Sequence, residues 1–251
     1  MRDSLSEARR KMLGLVQENG ISQHEKVHAE PLGVEEAIGD PSPYRDFPLL
    51  GGVEKLVDVT FRSSRGQAFS SCPCRWAGSL EEVFSLSLRE EKNRAILIGT
   101  INALAREVGI SSGTIHCRDR EPDLCGGEIA LSLAREFGES PVVGIVGYNP
   151  AIISNISTVF GPENFRLTDL NPENVGQFRF GVEVWHGRKD LERLALEADV
   201  VLVTGSALCN GTLDEVRETV ELKGKPVIFF GTTIAGIADL LGYRRWCFRS
   251  C

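Results

Sequence analysis

Four short apolar runs of this chain end in glycine and small polar residues. Val142–Val146 leads into Gly147, Tyr148 and Asn149, and Asn164–Thr168 leads into Asp169, Leu170 and Asn171. Val200–Thr204 leads into Gly205 and Ser206, with Asn210, Gly211 and Thr212 close behind, and Val227–Phe230 leads into Gly231, Thr232 and Thr233. If the runs are parallel strands, these residues collect at the carboxyl edge of one sheet, where open α/β sheets bind ligands. Asp169 supplies charge and hard oxygen, suited to a divalent or heavy metal ion, whose identity the residues do not give, or to a small polar ligand that chelates one. Asn149, Asn210 and the Thr204–Ser206 turn supply hydrogen bonds, and a helix starting at Pro150 would turn free backbone N–H groups toward an anionic group. The same residue types also serve as turn formers and caps. Their recurrence at four strand ends is what points to a site.

Other patterns are weaker. Asp169 stands at the distance from the first turn where a dinucleotide-binding unit has its ribose-binding acid, but VGIVGYNP lacks the glycines that bring backbone against a pyrophosphate. His24-Glu25-Lys26-Val27-His28 has the HExxH spacing of a zinc peptidase, yet Gly20 and Pro31 flank it and no periodic helix surrounds it, so it reads as a surface coincidence. Cys72 and Cys74, then His116, Cys117 and Cys125, fall near one junction in the sequence, and Cys247 and Cys251 lie further on. None has the spacing of a structural zinc site; scattered thiols are the first reading and a thiolate-rich site between domains the second. Cys209 sits in the turn TGSALCNGT, beside the proposed ligand site, and also reads as a small buried apolar side chain. No serine or threonine has an identifiable partner base.

The elements that must position these residues are legible in the periodicity. Residues 4–18 form an amphipathic helix, and 20–50, with prolines at 31, 41, 43 and 48, reads as loop with one short helix. Val53–Phe61 and Gln67–Ser71 read as strands, and helices follow from Ser79 and over Glu91–Val108, giving a small ββαα unit. From Glu121 onward helices over Pro122–Phe137, Ala151–Val159, Lys189–Leu196, Thr212–Leu222 and Ile234–Leu241 alternate with the four runs. That alternation predicts an α/β fold, a parallel sheet covered by helices on both faces and preceded by a small α+β domain. Gly109–Gly113 is the expected boundary, dividing the chain into 1–111 and 112–251.

Composition narrows the class. The chain has 251 residues, a net charge of −7 and an ordinary apolar fraction of 42%. Its basic clusters, Arg9–Lys11 and Arg244–Arg245, are small and not interleaved with aromatics, which argues against a nucleic-acid partner. No continuous apolar stretch is long enough for a membrane helix, and MRDSLSEARRKML lacks the apolar core of a signal peptide, so a cytoplasmic location is the expectation. A homo-oligomer is compatible with the sequence, although no apolar stripe marks an interface.

INALA at 101–105, VGIVGYNPAII at 143–153, Asp169, ADVVLVTGSALCNGTLDEV at 198–216 and GTTIAGIADLLG at 231–242 resemble the putative heavy-metal chelation domain family. The TGSxLxNGT element is the most specific. The resemblance implies a Rossmann-like C-terminal domain, an N-terminal domain similar to the small N-terminal domain of enolase, and a ligand site where the two meet. Carried over residue by residue, it puts Asn102, Gly147, Tyr148, Asn149, Asp169, Thr204, Gly205, Ser206, Asn210, Gly211, Thr212 and Thr232 at or around that site. Cys209 falls where the family is expected to have an apolar residue, and HEKVH and CPC lie outside the motifs. The leading expectation is therefore a metal-binding or chelation protein with its site in the interdomain cleft and Asp169 as metal ligand. The alternative is an enzyme acting on a nucleotide-like or pterin-like heterocycle in the same cleft, with Tyr148 stacked on the ring.

Overall fold

The computed structural model describes residues 3–40 and 54–251. The order of elements is α1 (Ser4–Glu18), β1 (Lys26–Pro31), α2 (Val34–Ile38), β2 (Lys55–Phe61), β3 (Ser64–Ser70), β4 (Trp76–Ser79), α3 (Leu80–Phe84), α4 (Glu91–Glu107) and α5 (Glu121–Phe137). There follow β5 (Val143–Val146), α6 (Pro150–Phe160), β6 (Phe165–Asp169), β7 (Phe178–Arg179), β8 (Val182–His186), α7 (Leu191–Glu197) and β9 (Val200–Thr204). The last elements are α8 (Ala207–Asn210), α9 (Leu213–Leu222), β10 (Val227–Phe230), α10 (Ala235–Leu241) and β11 (Arg245–Trp246).

The first sheet is four-stranded and antiparallel, in the order β3-β2-β1-β4. Two of its strands, β1 and β4, correct the ββαα reading. In β1 the buried side chains are only Val27 and Ala29, alternating with exposed Lys26, His28 and Glu30, so its period-2 signal is carried by small residues and is faint. His24 and His28 of the HExxH match accordingly lie in a turn and on a strand, both exposed, rather than one helical turn apart. The part of the expected loop at 41–50 lies outside the described residues, as does Val53.

The second sheet has seven strands in the order β11-β10-β9-β5-β6-β8-β7. All its pairings are parallel except the short edge pair β7–β8. Strands β7 and β8 were not legible, because VEVWH is short and mixed and Phe178 is exposed. The chain leaves β5 toward β6 on one side and returns to β9 on the other. This reversal makes the carboxyl ends of β5 and β9 the switch point of a doubly wound sheet, where a crevice is left between diverging connections.

Helix α4 joins the two sheets. Its residues from Ala95 to Ala105 are all buried, and it packs against β2 and β3 on one side and α1, α8 and α10 on the other. The approach to β3 is so close that a Cβ on Gly66 would stand 2.3 Å from the Ala103 nitrogen and 2.4 Å from the Gly99 oxygen. One apolar core therefore runs from Val16, Val57 and Phe61 through Ile98 and Ile101 to Val203, Leu208 and Ile237. The opposite face of the parallel sheet packs on α5 and α6 through Ile129, Leu133, Ile153 and Phe160.

Candidate functional site

At the switch point the backbone makes a sharp exit from β5. Gly147 has φ +98°, and a Cβ there would meet Thr204 Cγ2 at 2.4 Å, so only glycine lets β5 and β9 end side by side. Beyond it, Asn149 caps α6 by accepting the Ile152 N–H at 3.1 Å, with Pro150 in the first helical position. Asp169, at the end of β6, reaches across. Its Oδ2 accepts the Tyr148 N–H at 2.7 Å and its Oδ1 accepts the Asn171 N–H at 2.7 Å. The Ile152 N–H, one of the helix-start groups expected to attract a ligand anion, and the Tyr148 N–H before the helix thus already hold the protein's own side chains.

A cavity of about 90 Å³ opens at these strand ends. Its lining includes Gly147, Asp169, Asn171, Thr204, Ser206, Asn210 and Thr212, over an apolar floor of Val146, Leu191, Ala207 and Val216. The hydroxyls of Thr204 and Ser206 are 3.0 Å apart, and Asn210 Oδ1 accepts from the Thr212 hydroxyl at 2.7 Å. Three charged lining residues escaped the sequence reading: Glu54, Arg188 and Glu215. Arg188 and Glu215 form an exposed ion pair of 4.0 Å. Glu54 is half-buried beside Asp169 and Glu91; burial, reinforced by those two negative neighbours, pushes its carboxyl up to about 7. Glu91 is held by Ser71, whose backbone N–H and hydroxyl both donate to it.

The remaining expected residues lie off the cavity. Asn102 is wholly buried in α4, and its side-chain amide donates to the Gln67, Thr232 and Thr233 carbonyls while its oxygen accepts the Gly236 N–H. Gly205 packs on Ile234, and Gly211, at φ +78°, ends α8. Thr232 is fully buried, its hydroxyl without a partner. The Tyr148 ring is partly buried against the core on the α5–α6 face.

Among the described residues the lining contains no thiol and no imidazole. Cys209 is 1% exposed, and burial raises its thiol well above the usual range. Among the described residues no three His, Cys, Asp or Glu side chains are grouped to hold a metal ion. The donors at the cavity are carboxylate, hydroxyl and amide oxygens, a set that fits a hard cation and does not fit a thiophilic heavy metal.

The sheet and the cavity at its switch point define a doubly wound α/β protein with an acidic, oxygen-lined site. Within it, residues 130–244 match the model of the family described as "Putative heavy-metal chelation", the family that the TGSALCNGT segment resembles. Two solved structures titled as proteins of unknown function from the same family, DUF364, are similar to the chain. One, from Pyrococcus horikoshii, is 13% identical over 92% of this chain and 79% of its own, with a TM-score of 0.48. The other, from Desulfitobacterium hafniense, is 17% identical over 75% and 72%, with a TM-score of 0.46. No curated protein matches the chain. Among the described residues no helix is long and apolar enough to cross a membrane.

Proposed function

We propose that this chain binds a hard divalent cation carried by a small oxygen-donor ligand, in a cleft between its 1–111 and 112–251 units. The observation that carries the reading is the convergence of Glu54, from the first unit, on Asp169, from the second. Burial and the neighbouring Asp169 carboxylate raise the cost of ionising Glu54, and a cation between the two relieves it. Asp169 is the principal charged ligand and Glu54 the second. Ser206, Thr204 and Asn210 contribute neutral oxygens and orient the partner molecule. Two carboxylates alone are few for a tightly held ion, so the remaining donors come from the small ligand, and the cavity's size fits a compact one. The family description agrees with chelation, while the carboxylate, hydroxyl and amide oxygens among the described lining residues favour hard over heavy metals.

Calorimetry in chelator-free buffer tests this with manganese(II), with citrate, and with both together. The expected result is binding of the manganese–citrate pair, weakened by about tenfold or more in Asp169→Asn. Binding of mercury(II) in preference to manganese at this cavity, no binding of any probe, or full binding by Asp169→Asn would each overturn it.

A further inference from the structure

Of the described residues that line the cavity, Arg188 alone is positively charged. It follows β8, in a turn whose backbone is fixed against the strand that carries Asp169. The Gly187 N–H donates to the Asp169 carbonyl at 2.8 Å, the Arg188 N–H donates to His186 Nδ1 at 3.1 Å, and Asp190 Oδ2 accepts the His186 N–H at 2.9 Å. Gly187 is closely seated as well: a Cβ there would come within 3.0 Å of Leu170 Cδ2 and 3.1 Å of the Asp169 carbonyl oxygen. The base of the arginine is therefore held in place beside Asp169.

Its guanidinium is held much less firmly. The partner carboxylate, Glu215, lies 4.0 Å away, and the two side chains are 58% and 46% exposed. Such a pair contributes little in water. Glu215 also sits in the first turn of α9, where the helix dipole favours a negative charge without any cation. Arg188 can thus leave it at small cost. With a divalent cation balancing Glu54 and Asp169, the guanidinium gains only from an anionic group that the ligand itself brings. The planar fork of an arginine offers two parallel N–H donors to a carboxylate. A singly charged carboxylate suits this position better than a doubly charged phosphate monoester, because Glu215 stays nearby.

We infer, resting on the cation site proposed above, that Arg188 selects the ligand that carries the cation, exchanging Glu215 for a carboxylate of a small polycarboxylate. One carboxylate of that ligand is spent on the cation between Glu54 and Asp169. A second receives the two N–H donors of Arg188. A ligand with a single carboxylate makes only the first contact and is held less tightly. Glu215 is a competitor that occupies the arginine until such a ligand arrives, so Arg188 and Glu215 act on affinity in opposite directions. An ion pair that merely supports the cavity wall would act in the same direction through both.

The test is isothermal titration of the whole chain, in chelator-free buffer, with manganese(II)–citrate and with manganese(II)–glycolate, whose one carboxylate and hydroxyl are spent on the cation. The native chain should prefer citrate by about tenfold or more, and Arg188→Gln should lose that preference through weaker citrate binding. Glu215→Gln, which frees the arginine, should tighten citrate binding by about two- to fivefold. Lys189→Gln removes the adjacent exposed charge, which is not among the described lining residues, and should change citrate binding by less than about twofold. Thermal unfolding checks that the three variants fold. Native-strength citrate binding by Arg188→Gln, equal weakening of citrate and glycolate, weaker citrate binding by Glu215→Gln, or a loss in Lys189→Gln as large as in Arg188→Gln would each overturn the inference and leave the cation site standing. Tighter binding of manganese–phosphoglycolate than of manganese–citrate would overturn the carboxylate assignment. No binding of manganese–citrate by the native chain would overturn the cation site and the role of Arg188 with it.

Discussion

Asn102, in the middle of α4, and Gly236, at the start of α10, are joined by a hydrogen bond of 2.8 Å from the glycine N–H to the asparagine oxygen. The amide nitrogen of the same side chain reaches the carbonyls of Gln67 on β3 and of Thr232 and Thr233 beyond β10, at 2.9, 3.1 and 3.0 Å. One buried amide thus fastens the antiparallel sheet to the end of the parallel one. Asn102→Ala leaves three carbonyls and an N–H buried and short of partners, and an expected destabilisation of about 3 kcal/mol follows. Asn102→Asp is the sharper case, because it turns a carboxylate oxygen toward three carbonyl oxygens. Urea unfolding should rank Asp below Ala below the native chain; an Asp variant as stable as the native chain would contradict the arrangement.

Glu54 makes stability depend on pH in a direction opposite to that of a salt-bridged carboxylate. Its folded value, about 7, lies above the ordinary 4.5, so between these limits the folded chain holds a proton that the unfolded chain has released. The stabilising contribution is complete below the unfolded value and is lost as pH rises through about 7, on the order of 3 kcal/mol in all. Glu54→Gln should therefore flatten the fall in unfolding free energy between mildly acid and neutral pH. A cation that needs both carboxylates ionised should bind more weakly below pH 7 and release a proton on binding, which calorimetry in buffers of different ionisation enthalpy reads directly.

The four strand ends were legible because β5, β6, β9 and β10 are apolar runs closed by glycine or small polar residues, and a parallel sheet then has to gather those ends. Gly147, Asp169, Thr204, Ser206, Asn210 and Thr212 accordingly share one cavity. Strand β1 was hidden because Val27 and Ala29 alone face the core, and β8 because VEVWH mixes both faces. Glu54 could not be read, since a lone carboxylate after a Pro- and Gly-containing stretch carries no periodic signal and acquires its meaning only beside Asp169. Motif reasoning grouped Asn102 with the ligand residues; a buried amide spent on four backbone groups is equally compatible with a fixed motif.

Gly147 offers a test of how the cavity is shaped. Alanine there must adopt a positive φ of about 98° and press its Cβ to 2.4 Å from Thr204 Cγ2. The backbone penalty and the clash together should cost about 2–4 kcal/mol, and the strain falls on the wall that carries the Thr204 and Ser206 hydroxyls. The expected outcome is loss of stability together with loss of cation–ligand binding. Coupling is the point of the measurement: unchanged binding in the folded Gly147→Ala chain would show that the Thr204 wall is not part of the site.

Asp169 and Ser206 separate support of the turn from contact with a ligand. The Asp169 carboxylate accepts two backbone N–H groups at 2.7 Å, so Asp169→Asn, which replaces one acceptor oxygen with a donor, should cost about 1–2 kcal/mol of stability as well as the charge of the site. Ser206 is different: its hydroxyl shares a 3.0 Å hydrogen bond with Thr204 at the cavity wall, and replacing it with alanine removes little that the fold uses. Ser206→Ala should therefore keep the unfolding midpoint of the native chain while weakening the manganese–citrate complex several-fold, about 1 kcal/mol. Isothermal titration beside thermal unfolding distinguishes the two cases. If Ser206→Ala binds as the native chain does while Asp169→Asn loses binding only in proportion to its stability, the cavity acts through the fold alone and the hydroxyl wall has no part in recognition.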